Sequence, residues 1–171
     1  KTFWTTQRSK TSIDKTHEYK SVDKPKLTDA FHNYSDRIHL NNNITLMRII
    51  RKLSPIKVFH PVRIFLIDQN ITVTFDYIDR KIDFDTRETP MLFMHSESLH
   101  FIYKNGFGFD TLTVNACFEQ SPKGFALATK TLAIENLNNL GIFINLRTLI
   151  NISIIKLFLV RLYRVAKKLD V

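Results

Sequence analysis

Short apolar segments separated by tight turns fill residues 63–94, and they limit the fold more than any other feature of the sequence. "ITVTFDY" alternates apolar and polar residues, which is typical of a half-buried strand. "RIFLID", "KIDFD" and "MLFM" are apolar segments of strand length on either side of it. Because the connections between these segments are short, we predict neighbouring strands in an antiparallel meander.

Helical patterns flank these strands. Residues 43–53 are predicted to form a helix that Asn42 or Asn43 caps and Ser54-Pro55 ends. One apolar face of this helix would carry Leu46, Met47, Ile50 and Leu53. The fold class that follows is α+β, with a small antiparallel sheet of about five strands covered by helices.

Two further helices are predicted after the strands. One follows Ser96, which is expected to be its N-cap, and ends at Gly106, where a positive φ would stop it. The other spans residues 125–140 and is closed by Gly141. Between them, "TLTVNACF" is predicted to be a strand.

Alternation would place one set of its residues on a common sheet face, namely Leu112, Val114, Ala116 and Phe118. Cys117 would lie on the other face, where we expect a buried and inert thiol.

The two ends of the chain have a different character. Residues 1–42 are polar and weakly patterned, so they are predicted to be an N-terminal arm or linker, and residues 43–171 the α+β domain. Aromatic residues that could anchor such an arm are Phe3, Trp4, Tyr19 and Phe31. Residues 148–169 are predicted to form a long amphipathic helix.

Five charged residues interrupt the apolar character of helix 148–169, so we expect it not to span a bilayer: Lys156, Arg161, Arg164, Lys167 and Lys168. It is expected to lie against an apolar opening or a partner surface. Peripheral membrane contact through this helix is left open.

The charge distribution and the cysteine content limit the class of partner and the cellular compartment that we expect. The net charge of +9 is concentrated in residues 1–26, 48–63 and 147–168, whereas the aromatic residues concentrate in the neutral middle. A nucleic-acid surface interleaves the two, so the distribution argues against a nucleic-acid partner. The single cysteine excludes an intrachain disulfide and fits a cytoplasmic protein.

Motifs for catalysis are missing from the sequence. Gly106 and Gly108 follow a helix and precede a predicted strand, the reverse of a phosphate-binding loop. The sequence contains no H-x-H, H-E-x-x-H or G-x-S-x-G pattern. We therefore predict no catalytic residue, no metal ligand and no cofactor.

From Arg63 to about Gly141 the chain resembles the sterol carrier protein type 2 (SCP2-like) family. The resemblance rests on the strands named above and on "MLFMHSESLHFIYKNGFGFDTLTVNACFE" and "GFALATKTLAIENLNNLG". The family places a strand, a helix headed by Ser, a loop with glycine and another strand in this order. The resemblance implies an α+β fold with an apolar tunnel between sheet and helices.

The stretch "HSESLHFIYKNGFGFDTLTVNACFE" also looks like the C-terminal extension of bacterial metallo-β-lactamase-fold hydrolases, in which an SCP2-like module follows the metal domain. Ala116 departs from the glycine expected before "CFE". The resemblance implies an accessory part of a larger metal-dependent hydrolase, with residues 1–42 as the joint to a catalytic domain upstream.

The resulting functional expectation is a non-catalytic accessory domain that binds an apolar small molecule or lipid-like substrate. The alternative is a structural or interaction domain with a filled core that packs on a catalytic partner domain. The residues expected along a tunnel are Phe101, Phe107, Phe109, Leu112, Val114, Phe118, Phe125 and Leu132.

Overall fold

The computed structural model describes residues 19–55, 57–115, 117–121 and 124–147. Within these ranges it contains five helices and a five-stranded mixed sheet, which confirms the α+β class. The helices are α1 Lys24–Asn41, α2 Ile44–Leu53, α3 Ser96–Lys104, α4 Gly108–Val114 and α5 Gly124–Asn139. The strands are β1 Val62–Leu66, β2 Ile71–Asp76, β3 Lys81–Phe84, β4 Leu92–Met94 and β5 Glu119–Gln120.

The sheet has the strand order β3-β2-β1-β4-β5, and β1 and β4 are parallel while the other pairs are antiparallel. The four strands predicted in residues 63–94 are confirmed, but the purely antiparallel meander is wrong. The connection 85–91 crosses from β3 at one edge to the far side of β1. The backbone N–H groups of Thr86 and Met91 anchor this connection to the carbonyls of Thr72 and Arg63, at 3.1 and 2.8 Å.

Helix α1 corrects the prediction of a polar arm, because residues 24–41 belong to the folded core. The helix begins after Asp23, whose carboxylate accepts a hydrogen bond from the N–H of Lys26 at 3.2 Å. Its apolar residues recur every three or four positions and form one buried stripe, Leu27, Ala30, Phe31, Tyr34 and Ile38. Residues 1–18 lie outside the described residues.

Helix α4 corrects the predicted strand "TLTVNACF". Residues 108–114 are helical, and only Glu119 and Gln120 pair with β4. The hydroxyls of Thr111 and Thr113 donate to the carbonyls of Phe107 and Phe109 at 2.9 and 2.8 Å, so both threonines are accommodated within a helix. Leu112 is buried in this helix while Val114 is 85% exposed, and the common sheet face predicted for them does not exist.

Two local predictions about helix ends also change. The glycine with positive φ is Gly141, at 76°, and not Gly106, so the predicted conformation at Gly106 is wrong. Gly141 follows α5, as predicted. Ser96 is the first residue of α3 and not its cap. Its N–H and its hydroxyl both donate to the carboxylate of Asp68, at 2.8 and 2.5 Å.

The helices α1 and α5 pack against one face of the sheet. The fully buried side chains on that face include Ile64, Leu66, Val73, Phe75 and Leu92. In the described part of the chain, none of the helices has both the length and the apolar character needed to cross a bilayer. The predicted helix 148–169 lies outside the described residues.

The surroundings of two glycines predict different responses to alanine. A Cβ at Gly108 would lie 2.7 Å from the Ile102 Cα and 2.8 Å from the Phe101 oxygen, whereas the three atoms nearest to a Cβ at Gly106 all belong to the side chain of Asn139. Backbone atoms cannot move aside as a side chain can, so Gly108→Ala should lower the free energy of unfolding by about 1–3 kcal/mol. Gly106→Ala should cost less than about 1 kcal/mol, and equal losses in urea unfolding would contradict this explanation.

Candidate functional site

The eight residues predicted along a tunnel do not form one lining. Phe109, Leu112 and Leu132 are buried and Phe118 and Phe125 are half-buried. In contrast, Phe101, Phe107 and Val114 are exposed at the outer side of α3, the following loop and α4. The helical conformation of residues 108–114 is the reason for this division.

Three of the predicted residues do come together. The rings of Phe109, Phe118 and Phe125 have centroids 5.8 to 6.1 Å apart, and their planes are within 31° of one another. This group, called here the phenylalanine triad, joins α4, the residue before β5 and the start of α5. It is the part of the predicted apolar site that the fold assembles.

A second aromatic group occupies the space between α1, α3 and the sheet. This aromatic core consists of five buried residues, Phe31, Tyr34, Phe75, Tyr77 and Tyr103. The centroid of the Tyr103 ring lies 5.3 to 5.6 Å from those of Phe75, Tyr34 and Phe31. At these distances the rings are in van der Waals contact, so this region is filled with side chains.

A partly buried ion pair borders the aromatic core. Arg37 donates from Nε to Glu135 at 2.8 Å and from Nη2 to the carbonyl of Tyr103 at 2.6 Å. Its guanidinium also lies 5.8 Å from the centroid of the Tyr34 ring. Burial raises the pKa of Glu135 to about 7, although the neighbouring Arg37 acts in the opposite direction.

Two pockets in the described part of the chain lie at the surface and carry charged residues. One is a groove of about 250 Å³ between α1 and α3, whose lining includes Lys26, Arg37, His100 and Lys104. The other, of about 320 Å³, is lined in part by residues of the loop 57–61. None of the eight predicted tunnel residues lines either pocket.

The sheet face opposite α1 and α5 carries partly exposed apolar side chains. The parallel pairing of β1 and β4 sets Phe65 beside Phe93, with ring centroids 5.8 Å apart. Ile67 follows β1 and is 46% exposed. Tyr19, which is 43% exposed, stacks on the ring of His95 just after β4, at 4.1 Å between centroids. These five residues are called here the open face.

No family model, no curated protein and no solved structure matches the chain. Among the residues that the structure describes, no three His, Cys, Asp or Glu side chains are close enough to hold a metal ion.

Sequence reasoning missed the Arg37–Glu135 pair and the open face. Arg37 and Glu135 are 98 residues apart in the sequence, and neither lies in a recognisable motif. The only sequence signal for the open face is the alternation of β1 and β4. Phe65 and Phe93 each lie between two buried residues of their strand, so their side chains point to the opposite face of the sheet.

The pKa of Glu135 predicts a pH dependence of stability. Between the ordinary carboxyl value of 4.5 and about 7, the folded protein holds a proton that the unfolded chain has released. Stability from this group is therefore present at low pH and is lost as the pH rises through about 7. From pH 5 to pH 8, the wild-type protein should lose on the order of 1–3 kcal/mol of unfolding free energy that Glu135→Gln does not lose.

Urea unfolding at the two pH values measures this difference. Glu119→Gln, at an exposed glutamate, is the matched control and should keep the wild-type pH dependence. The same pH dependence in wild type and Glu135→Gln would contradict the assignment.

Proposed function

We propose that the chain is a non-catalytic interaction domain with a filled core, and that the open face is its contact surface. The observation that carries the proposal is the pairing of a filled aromatic core on one side of the sheet with partly exposed apolar side chains on the other. Such patches on a soluble domain mark interaction surfaces. The order of β4, a helix starting at Ser96 and a turn with Gly106 agrees with an SCP2-like architecture, although α4 separates this turn from β5.

The occupant that we propose for the open face is an apolar surface of a partner domain. Phe65 and Phe93 lie side by side on this face, with ring centroids 5.8 Å apart. Ile67 and Tyr19 extend the apolar surface and are 46% and 43% exposed. A partner that covers these side chains would remove their apolar area from water, which favours association.

Binding of an apolar fluorescent dye to the folded protein tests whether the open face is available as a contact surface. Phe93→Ser and the milder Ile67→Ser should both lower dye binding, because each removes apolar area from the face. Val114→Ser, at an exposed residue of α4, is the control and should leave dye binding at the open face unchanged.

Circular dichroism and urea unfolding establish that the variants are folded. A wild-type protein that binds no dye, or dye binding that neither substitution lowers in folded protein, would overturn the open face as the contact surface.

The class of partner domain that we propose is a metal-dependent hydrolase domain. Its support is the resemblance of residues 95–119 to the accessory module of metallo-β-lactamase-fold hydrolases. Such a domain carries the pattern H-x-H-x-D-H, and a cytoplasmic location belongs to the same proposal. The coding sequence upstream of Lys1 tests it, and an upstream reading frame without this pattern would remove the hydrolase from the proposal.

The phenylalanine triad favours a second candidate function, the binding of an apolar ligand. Phe118 and Phe125 are half-buried with near-parallel rings, so an acyl chain could add to the stack. Each buried CH₂ would contribute roughly 0.8 kcal/mol, so few polar contacts would be needed.

Binding of a fluorescent fatty acid, followed by its displacement with an unlabelled one, tests this candidate. Phe125→Ala should weaken binding about tenfold by removing a contact surface, whereas Val114→Ser should not. No binding at tens of micromolar would leave the interaction domain as the better description.

A further inference from the structure

We infer that the groove between α1 and α3 binds a phosphate group through Lys26, Arg37 and Lys104. This inference does not rest on the proposed function, because the groove is formed by two helices and the open face by strands.

The charges of the groove are predominantly positive. Lys26 and Arg37 come from α1 and Lys104 from α3, and Asp29 is the one acidic residue among those that line the space. Among the described residues neither lysine forms an ion pair with a carboxylate. Two cations without an ion-pair partner, one on each helix that borders the groove, create a positive potential that attracts anions.

The pKa of His100, whose imidazole lines the groove, is sensitive to this potential. Burial lowers its pKa, and the charges of Lys26 and Lys104 lower it further. Glu97, on the same helix, acts in the opposite direction but does not reverse the shift. The charged groups around this imidazole are therefore Lys26, Asp29 and Arg37 on α1, Glu97 and Lys104 on α3, and Glu135 behind Arg37 on α5.

Arg37 is held in place before any ligand arrives. Three groups fix its guanidinium, namely the Tyr34 ring, the Glu135 carboxylate and the carbonyl of Tyr103. Its Nη1 atom has no hydrogen-bond partner among the described residues. A fixed guanidinium with a remaining donor suits a tetrahedral or planar oxyanion and loses little side-chain entropy on binding.

The volume of the groove limits the size of the group that it can bind. About 250 Å³ is below the range of a pocket that encloses a drug-sized molecule, but it accommodates a phosphate with an adjoining fragment. The charge of Arg37 is shared with Glu135, so the groove offers the two lysines and the remaining guanidinium donor of Arg37 against the carboxylate of Asp29. Two ammonium groups and a guanidinium donor favour a dianionic phosphate monoester over a single carboxylate. The ligand is thus a phosphomonoester, either free in solution or as the headgroup of a lipid such as phosphatidic acid.

Titration of the His100 imidazole by NMR tests the site, with inorganic phosphate as the probe at constant ionic strength. Bound phosphate stabilises the imidazolium, so it should raise the pKa of His100 in the wild-type protein. Lys26→Gln combined with Lys104→Gln should weaken phosphate binding about tenfold or more. Lys52→Gln combined with Lys81→Gln removes the same charge from exposed positions of α2 and β3 and should leave binding unchanged.

Sedimentation with vesicles distinguishes the two sources of the phosphate. Phosphatidylcholine vesicles with phosphatidic acid should bind the wild-type protein and not the groove variant if the ligand is a lipid headgroup. Binding of inorganic phosphate alone, lost in the groove variant, identifies a soluble phosphomonoester. A His100 pKa that does not respond to phosphate and vesicle binding that is equal in the two double variants would together overturn the inference.

Discussion

Contact among five buried aromatic rings holds the helices to the sheet, and the rest of the structure depends on it. Phe31 and Tyr34 come from α1, Phe75 and Tyr77 from β2 and the residue after it, and Tyr103 from α3. Aromatic pairs at these distances contribute roughly 0.5–1.5 kcal/mol each beyond the area that they bury. Because α1 and β2 are far apart in the sequence, these contacts fix where α1 lies. Arg37, one turn after Tyr34, then reaches both Glu135 and the groove.

A small network of hydrogen bonds connects the segments next to the open face to the helices that build this core. The carboxylate of Asp68, in the turn after β1, accepts two hydrogen bonds from Ser96 at the start of α3. The hydroxyl of Ser96 in turn accepts the N–H of Val22 at 2.8 Å. A turn, a helix start and the chain that leads into α1 are thereby joined at one point. The three residues before Val22 lead to Tyr19, which stacks on His95 beside the sheet.

Features that depend on neighbouring residues could be predicted from the sequence, whereas features that depend on residues far apart in the chain could not. The strands in residues 63–94 were predictable because alternation and tight turns are local signals. Helix α1 was missed because its apolar residues are few and lie among polar ones, although their spacing of three and four is helical. The short stretch "TLTV" is compatible with the alternation of a strand and also with the spacing of a helix. The tertiary contacts of Phe109 and Leu112 favour the helix. The parallel pairing of β1 with β4 and the meeting of Arg37 with Glu135 depend on distant residues, so no local pattern could indicate them.

Because the core is filled, a tunnel would disrupt packing contacts that a site at the surface would leave intact. A tunnel between α1, α3 and the sheet would require the rings of Phe31, Phe75 and Tyr103 to separate, and the contacts that attach α1 would be lost. A ligand or partner at the surface would leave these contacts intact, because it would meet side chains that point outward from the same elements. Phe65 alternates with the buried Ile64 and Leu66, and Arg37 follows Tyr34 by one turn. The residues that build the core thus also orient the groups at the open face and in the groove, so both surfaces are preorganised by packing.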